Sequence, residues 1–313
     1  MAILYNAATL LDTIRSLASI PNVQAQGSDD TQLLRYTNDV IRGKIVPILL
    51  RVREEYLVQT MRTTLTDAVT KYRIPKRAIG NRLRDVTYVD VDGNRLVWGS
   101  RQLPREHLPF YNQTGSALPH GWYLEGNYVQ IVPTVGSYTG FLEMAYYVRP
   151  SAIVAASAVG VISAVGAVNQ VTLSATPPTT FVNGAKIDIH GPDSGAEAKL
   201  IDLTMNGAPS GNTLTFVENV DGSTFGTIPA SIGDYVCLAN EAALAQVPDD
   251  MIPLLADGVA LRCMIADGDS EKAQLHGAMM KDEAEEAVHL LQNRTDGKPQ
   301  RILGYRGIRG WSG

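Results

Sequence analysis

Hydrophobic side chains recur every three or four positions through the first third of the chain, and this period predicts helices. Thr9 is positioned to cap a short first helix, whose apolar face consists of Leu10, Leu11, Ile14, Leu17 and Ala18. Ser28, Asp29 and Asp30 offer N-caps and a negative first turn for a second helix. Its apolar stripe consists of Leu33, Leu34, Thr37, Val40, Ile41 and Ile45. Pro47 is expected to interrupt this second helix.

From Tyr72 the pattern changes to short alternating segments, which predict strands. A Val-Asp-Gly-Asn turn and a Glu-Gly-Asn turn separate strand pairs, so two hairpins are expected. The predicted strands before residue 150 are 82–90 with 95–98, 121–124 with 128–132, and a single strand over 140–148. Residues 104–107 are predicted to form one helical turn.

Residues 151–240 form a block of different composition, with two lysines, no arginine and many Gly, Thr, Val, Ala and Asn residues. The block lacks a helical period, and Gly and Pro residues separate its apolar runs. Six strands are predicted, over 159–165, 170–174, 185–190, 199–204, 213–218 and 234–239. Strands at this spacing are typical of a small β-barrel or sandwich. The charge-free stretch 150–185 includes a segment long enough to span a membrane, but its Ala, Gly and Ser content disfavours that interpretation.

The helical period returns after residue 240. Pro248, Asp249 and Asp250 mark a helix start, and the helix is predicted to run over 251–266. After a connector at 267–270, a second helix extends to about residue 293, with Met280, Ala284, Ala287, Val288 and Leu291 on one face. Residues 294–313 contain five glycines and are predicted to form an extended arm.

These elements predict an α+β protein built on a helical-bundle host. The host comprises residues 1–150 and 241–293 and includes the β-hairpins. The small β-barrel or sandwich domain, residues 151–240, is inserted into it. The extended C-terminal arm, residues 294–313, follows the host.

The net charge of −5 argues against a general nucleic-acid coat protein, yet it conceals blocks of opposite sign. Residues 42–84 carry eleven basic and three acidic side chains, whereas residues 241–293 carry three basic and eleven acidic ones. Opposite blocks on one chain suit self-assembly, although each block could also simply be solvated. The predicted inter-subunit basic surface consists of Arg51, Arg53, Arg62, Lys71, Lys76, Arg77, Arg82 and Arg84.

No strong enzymatic motif is present, because the sequence lacks GxxxxGK[ST], GxSxG and HExxH. Four weak candidates for metal, catalytic or cofactor sites have structural interpretations that we favour. Glu286 with His289 is interpreted as a solvated helix face, and Asp267, Asp269 and Glu271 as an N-cap cluster. His120 and His190 are interpreted as structural histidines, and Gly304, Gly307 and Gly310 as glycines of an extended tail. A scattered hydrolase site at His107, His120 and Glu125 is the remaining enzymatic alternative. The sequence predicts no enzyme, cofactor or metal.

The two cysteines, Cys237 and Cys263, lie in apolar runs and outside any CxxC motif. We expect buried free thiols, which suit a reducing compartment. The first residues carry no basic region before an apolar stretch, so no signal peptide is expected.

The predicted arm combines arginines with spaced apolar and aromatic side chains, the types that anchor protein interfaces. Its candidate docking residues are Arg301, Ile302, Leu303, Tyr305, Arg306, Ile308, Arg309 and Trp311. We favour an arm that orders on a protein partner. The alternative is an arm that binds single-stranded nucleic acid, which would call for a longer repeat and more positive charge.

Two sequence segments resemble the head-to-tail adaptors, also called neck or connector proteins, of tailed bacteriophages. The first is Tyr72-Arg-Ile-Pro-Lys-Arg-Ala-Ile-Gly-Asn-Arg-Leu-Arg-Asp-Val86, and the second is Gln292-Asn-Arg-Thr-Asp-Gly-Lys-Pro299 after an acidic amphipathic helix. The order of helix pair, β region, helices and arm is also similar. The resemblance covers roughly residues 1–150 and 241–313, and residues 151–240 have no counterpart in the smallest adaptors.

The resemblance implies a structural protein of the virion neck, made in the host cytoplasm. Such adaptors form a ring, usually of twelve copies, beneath the portal protein, and the ring extends the DNA channel without sequence-specific binding. The ring offers a platform for the tail or a tail-completion protein, and the C-terminal arm reaches the portal. No membrane partner is implied. The alternative hypothesis is a virion module whose β domain binds a ligand or receptor.

Overall fold

The computed structural model describes residues 6–18, 29–66, 69–96, 102–104, 121–132, 140–192, 198–221 and 228–291. Helix α1, Ala7–Leu17, begins after Asn6, whose side-chain oxygen accepts the Thr9 N–H at 2.9 Å. The prediction that Thr9 is the cap was therefore wrong, because Thr9 lies in the first turn and Asn6 satisfies its free N–H. Helix α2, Asp30–Val40, follows Asp29 at its N-cap position.

Pro47 does not break the second helix. Helix α2 continues through a π-helical segment, Ile41–Ile45, into α3, Val46–Val52, and Pro47 lies in the first turn of α3. The wider π turn changes the hydrogen-bond pattern just before the proline, so its missing N–H is accommodated without ending the helix. The predicted apolar stripe is confirmed, since all six of its side chains are buried.

Two antiparallel sheets follow, and a 3₁₀ turn, Glu54–Leu57, leads into them. The strands are β1 Val58–Thr64, β2 Lys71–Arg73, β3 Ala78–Asp90, β4 Arg95–Leu96, β5 Gly121–Glu125, β6 Tyr128–Val132 and β7 Gly140–Val148. One sheet has the order β1-β7-β3-β4 and the other β2-β6-β5. Both predicted hairpins are present, β3–β4 and β5–β6. Most of the predicted helical turn at 104–107 and the end of the 95–98 strand lie outside the described residues, which include only position 104 of that turn.

Residues 151–240 contain all six predicted strands. They are β9 Gly160–Val165, β10 Gln170–Leu173, β11 Lys186–His190, β12 Ala198–Thr204, β13 Thr213–Thr215 and β14 Tyr235–Leu238. Their antiparallel sheet has the order β12-β11-β14-β9-β10-β13. Strands β12 and β13 are the two edges of this sheet. An antiparallel bridge between Met205, just after β12, and Phe216, just after β13, joins the two edges. The sheet therefore curls around its own apolar cluster. No helix in the described ranges is long and apolar enough to cross a membrane.

The chain enters and leaves this block at neighbouring points. Strands β8, Ala152–Ile153, and β15, Glu241–Ala242, pair in parallel. The side chain of Asn38 on α2 holds Ile153, accepting its N–H at 2.8 Å and donating to its carbonyl at 3.1 Å. The two ends of the block are therefore held together and against the helices.

The helical core is completed by α4, Ile252–Ala266, and α5, Ser270–Leu291, after a 3₁₀ turn, Asp249–Met251. Helix α4 is buried along most of its length and packs against α1, α2 and α5. Gly258 permits a close approach, because a Cβ there would lie 2.9 Å from a methyl group of Val40. The prediction of two buried free cysteines is confirmed for Cys237 and Cys263.

Candidate functional site

The eight basic residues predicted as an assembly surface lie on several elements. Arg51 lies in the last turn of α3 and is exposed. Arg53 follows the end of the helix, 3.6 Å from Glu55 and over the ring of Tyr56. Strand β1 carries Arg62 and β2 carries Lys71. Lys76 and Arg77 form a turn before β3, which carries Arg82 and Arg84. The eight residues therefore come from the helical core, from the β1-β7-β3-β4 sheet, which we call the first sheet, and, for Lys71, from the β2-β6-β5 sheet.

Several of these cations are already paired within the chain. Arg62 meets the buried carboxylate of Glu143 at 2.7 Å, and Lys71 meets Glu125 at 2.7 Å. Arg82 lies 3.5 Å from Glu54 and stacks over the ring of Tyr147 at 4.4 Å. Glu125, proposed in the hydrolase alternative, is thus engaged by a lysine.

Arg77 is 6% exposed and forms an ion pair with Asp188 on β11, which is fully buried. Asp188 also accepts the backbone N–H groups of Asp202 at 3.0 Å and Asn240 at 2.9 Å. These bonds satisfy a carboxylate that could not be buried alone without a large desolvation cost. Arg77 therefore joins the first sheet to the β block, and it does not contribute an exposed charge in the described chain.

A second set of buried polar bonds crosses the same boundary. Gln59 on β1 donates to the Ala198 carbonyl of β12 at 3.3 Å and accepts from the Tyr146 hydroxyl at 3.3 Å. Burial raises the pKa of Tyr146 to about 12, so its hydroxyl remains a donor. The first sheet and the β block are thus joined by specific hydrogen bonds as well as by the ion pair.

His190 is a structural histidine. Its Nε2 lies 2.9 Å from the Glu241 carbonyl, and its Nδ1 lies 3.0 Å from the Gln246 side-chain nitrogen. This geometry assigns the neutral tautomer, with Nε2–H donating and Nδ1 accepting from the amide. Burial lowers the pKa of His190, which also favours the neutral form. Both ring nitrogens are therefore occupied by internal bonds.

The other weak chemical candidates do not assemble into a site within the described residues. No cluster of three or more His, Cys, Asp or Glu side chains there has the geometry of a metal site. Asp269 instead accepts from the Lys272 backbone, as an N-cap does, at 3.3 Å. His107, His120 and the glycines Gly304, Gly307 and Gly310 lie outside the described residues, as do all eight arm residues between Arg301 and Trp311.

A carboxyl pair between α4 and α5 was not foreseen from the sequence. A hydrogen bond with the largely buried Asp257 raises the pKa of Glu283 to about 7, and burial and the charges of Asp257 and Glu286 contribute in the same direction. Nδ1 of His276 lies 3.7 Å from Oδ1 of Asp257. The pair therefore holds a proton in the folded state at a pH where an ordinary glutamate would have lost it.

This pair predicts a pH-dependent stability. Because the folded pKa of Glu283 is raised, its contribution is complete below about pH 4.5 and declines as the pH rises through about 7. Glu283→Gln keeps the hydrogen bond without the titration, so its melting temperature should exceed that of the original chain at pH 8 and converge with it at lower pH. Thermal unfolding across this range measures the difference. Glu285→Gln, at a neighbouring exposed position, should leave the pH profile unchanged, and equal profiles for all three chains would refute the shared proton.

Comparison with known proteins identifies the family of this chain. No curated protein matches the chain, but the family model described as SU10 adaptor protein matches residues 5–185. The match includes the helix pair, both sheets of the first 150 residues and part of the β block, through β10. It thus extends beyond residue 150, where the sequence resemblance was expected to stop, and it does not include residues 241–313. The matched segment is more than half of the chain and confirms the resemblance to phage adaptors: the chain belongs to the SU10 adaptor protein family, whose members are structural adaptors of bacteriophages.

Proposed function

We propose that the protein is the head-to-tail adaptor of the virion neck and forms a twelve-membered ring beneath the portal. The family membership carries this proposal. The ring extends the DNA channel, joins the capsid vertex to the tail or a tail-completion protein, and lets DNA pass without sequence-specific contacts. No enzymatic step and no membrane partner is part of this role.

Charge supports an assembly made of repeated copies. The exposed cations Arg51, Lys76 and Arg84 lie on α3, in the turn before β3 and on β3, whereas α5 carries five of the eleven acidic residues between positions 241 and 293. Oppositely charged surfaces at different places on one subunit favour contacts between unlike faces of neighbouring copies. Electron microscopy of the chain mixed with portal rings tests the proposal, and portal rings without an added ring of this chain would refute it.

We further propose the division into a body, 1–150 with 241–293, an inserted β domain, 151–240, and a C-terminal arm, 294–313. The parallel pair β8–β15 supports the insertion, because it brings the two ends of the block together. The separate apolar cluster of the block supports it as well.

The alternative function, a β domain that binds a ligand or receptor, is favoured by exposed apolar side chains on the block. Val182, Val217 and Ile232 are 54%, 63% and 71% exposed. Such side chains can contribute to a binding surface.

Excision of the β domain separates the two functions. Residues 156–239 are replaced by a short Gly-Ser linker that retains the β8–β15 pair. Because this excision removes Asp188, the ion-pair partner of Arg77, the shortened chain also carries Arg77→Met. If the domain is accessory, the shortened chain still assembles on the portal, and only attachment to the host surface is lost. Loss of assembly in a chain that still unfolds cooperatively would show instead that the domain belongs to the body of the ring. Arg77→Met with Asp188→Asn in the full-length chain, which removes the ion pair without leaving a buried charge, is the matched control.

A further inference from the structure

A groove between α3 and α5 has an apolar floor that the described chain leaves partly open. Its cavity is about 690 Å³, and its floor is formed by Ile48, Val52, Ala284 and Val288, none of which is fully buried. A second cavity of about 350 Å³ continues it toward α4 and shares Ile48 and Ala284. We refer to the two together as the α3–α5 groove.

The rim of the groove is basic. Lys44, Arg51 and Lys281 line it, against the single carboxylate of Glu285. Within the described ranges none of these three cations makes an ion pair. Lys44 is partly buried, with its Nζ 3.6 Å from the sulfur of Met280; burial and then Arg262 lower the pKa of Lys44. A carboxylate supplied from outside the chain would stabilise these cations.

The solvent side of α5 carries a complementary surface, which we call the α5 stripe. Its members are Glu271, Leu275, Met279, Asp282 and Glu286, spaced by four, four, three and four positions, so they share one helix face. Leu275 is 65% and Met279 52% exposed, although both are large apolar side chains. The three carboxylates make no ion pair with any described residue. The stripe is therefore apolar at Leu275 and Met279 and acidic on either side of them.

The stripe and the groove lie on different sides of the same helix. At about 100° per residue, the centre of the stripe is roughly 110° around α5 from the mean direction of the five α5 positions that line the larger cavity, Lys281, Ala284, Glu285, Val288 and His289. One copy can consequently use both surfaces at the same time, each with a different neighbour.

We propose that the α5 stripe of one copy docks in the α3–α5 groove of the next copy. Leu275 and Met279 cover the apolar floor, and the stripe carboxylates pair with Lys44, Arg51 and Lys281. The contact joins two different faces, so it repeats head to tail and closes into a ring when the rotation per step divides a full turn. The inference rests on the proposed function, since it identifies which faces build the ring.

Charge favours a second copy over the arm of the same chain as the occupant. The arm carries Arg301, Arg306 and Arg309, and these would meet the basic rim with like charge. The α5 stripe brings three carboxylates to the same rim, and opposite charges across an interface favour the correct partner.

Cysteine cross-linking on the portal complex tests the contact directly. The two natural cysteines are buried, so Ile48→Cys and Met279→Cys supply the reactive thiols. A mixture of the two single variants should give cross-linked pairs, and the double variant should give a ladder of multiples. Val182→Cys in place of Met279→Cys is the exposed control. Cross-linking no greater than with this control, or Met279→Cys chains that pair mainly with themselves, would overturn the proposal.

Charge exchange provides a second test with an assembly readout. Arg51→Glu with Lys281→Glu alters only the groove, and Asp282→Lys with Glu286→Lys alters only the stripe. Copies of either double variant alone should associate with one another at least about tenfold more weakly than copies of the original chain. A mixture of the two variants should assemble again, because the acidic groove of one variant can pair with the basic stripe of the other. Arg35→Glu, an exposed charge reversal on α2 outside the predicted basic surface, is the control and should have no comparable effect.

The outcomes separate this inference from the proposed function. Rings that persist in every folded variant would leave the adaptor role standing and overturn the pairing of these two faces. A mixture that does not recover assembly would also overturn the pairing. Absence of rings with the original chain would refute the proposed function itself.

Discussion

Replacing Arg77 by methionine is expected to lower the free energy of unfolding by about 3–5 kcal/mol, the cost of leaving a buried carboxylate without its counter-charge. Asp188 is fully buried, and two backbone N–H bonds would remain as its only partners among those described here. The loss should be measured by chemical denaturation at neutral pH.

A double-mutant cycle identifies the origin of that loss. Adding Asp188→Asn to Arg77→Met removes the stranded charge, so the double variant should recover a large part of the stability. Lys76→Met, the same change at the exposed neighbour, should alter the free energy of unfolding by no more than about 0.5 kcal/mol. A cost for Arg77→Met as small as that for Lys76→Met would contradict the buried ion pair.

Deleting residues 294–313 is expected to abolish capture of the chain by the portal while leaving its thermal unfolding unchanged. The arm is only 20 residues long and contains five glycines, so we do not expect it to contribute a hydrophobic core of its own. The proposed arm instead supplies aromatic and arginine anchors, which carry much of the energy of protein interfaces. Pull-down by the portal and a parallel melting curve measure the two effects.

A narrower variant tests the anchors themselves. Tyr305→Ala with Trp311→Ala should weaken portal binding by at least about thirtyfold, since each truncated hot-spot residue typically costs about 2 kcal/mol or more. Ser312→Ala is the matched control, because it changes the same segment without removing an anchor. Portal capture that survives the complete deletion would show that another part of the chain makes the contact.

The sequence pattern predicted the hairpins and the six strands of the β block because their apolar residues and turn formers are local signals. Strand β1 was missed, since its sequence Val-Gln-Thr-Met-Arg-Thr-Thr has little apolar alternation and is specified by pairing with β7. The prediction that Pro47 interrupts the second helix was wrong for a similar reason. A π segment that depends on tertiary packing accommodates the proline, and no local rule predicts that segment.

Charge counting located basic and acidic segments but could not assign partners. The Arg77–Asp188 pair joins residues 111 positions apart, and Glu143 gathers Arg62 and Arg95 from two different strands. Such pairs depend on the register of the sheets, which a single sequence does not specify. The acid at position 188, inside the apolar strand of residues 186–190, was the available signal, because a buried acid needs a partner.

Electron cryo-microscopy of portal rings mixed with the full chain shows whether adaptor copies form a ring on the portal. We expect a closed ring of twelve copies beneath the portal, coaxial with it and surrounding an open channel. Single copies scattered over the portal, or an assembly without a channel, would contradict it.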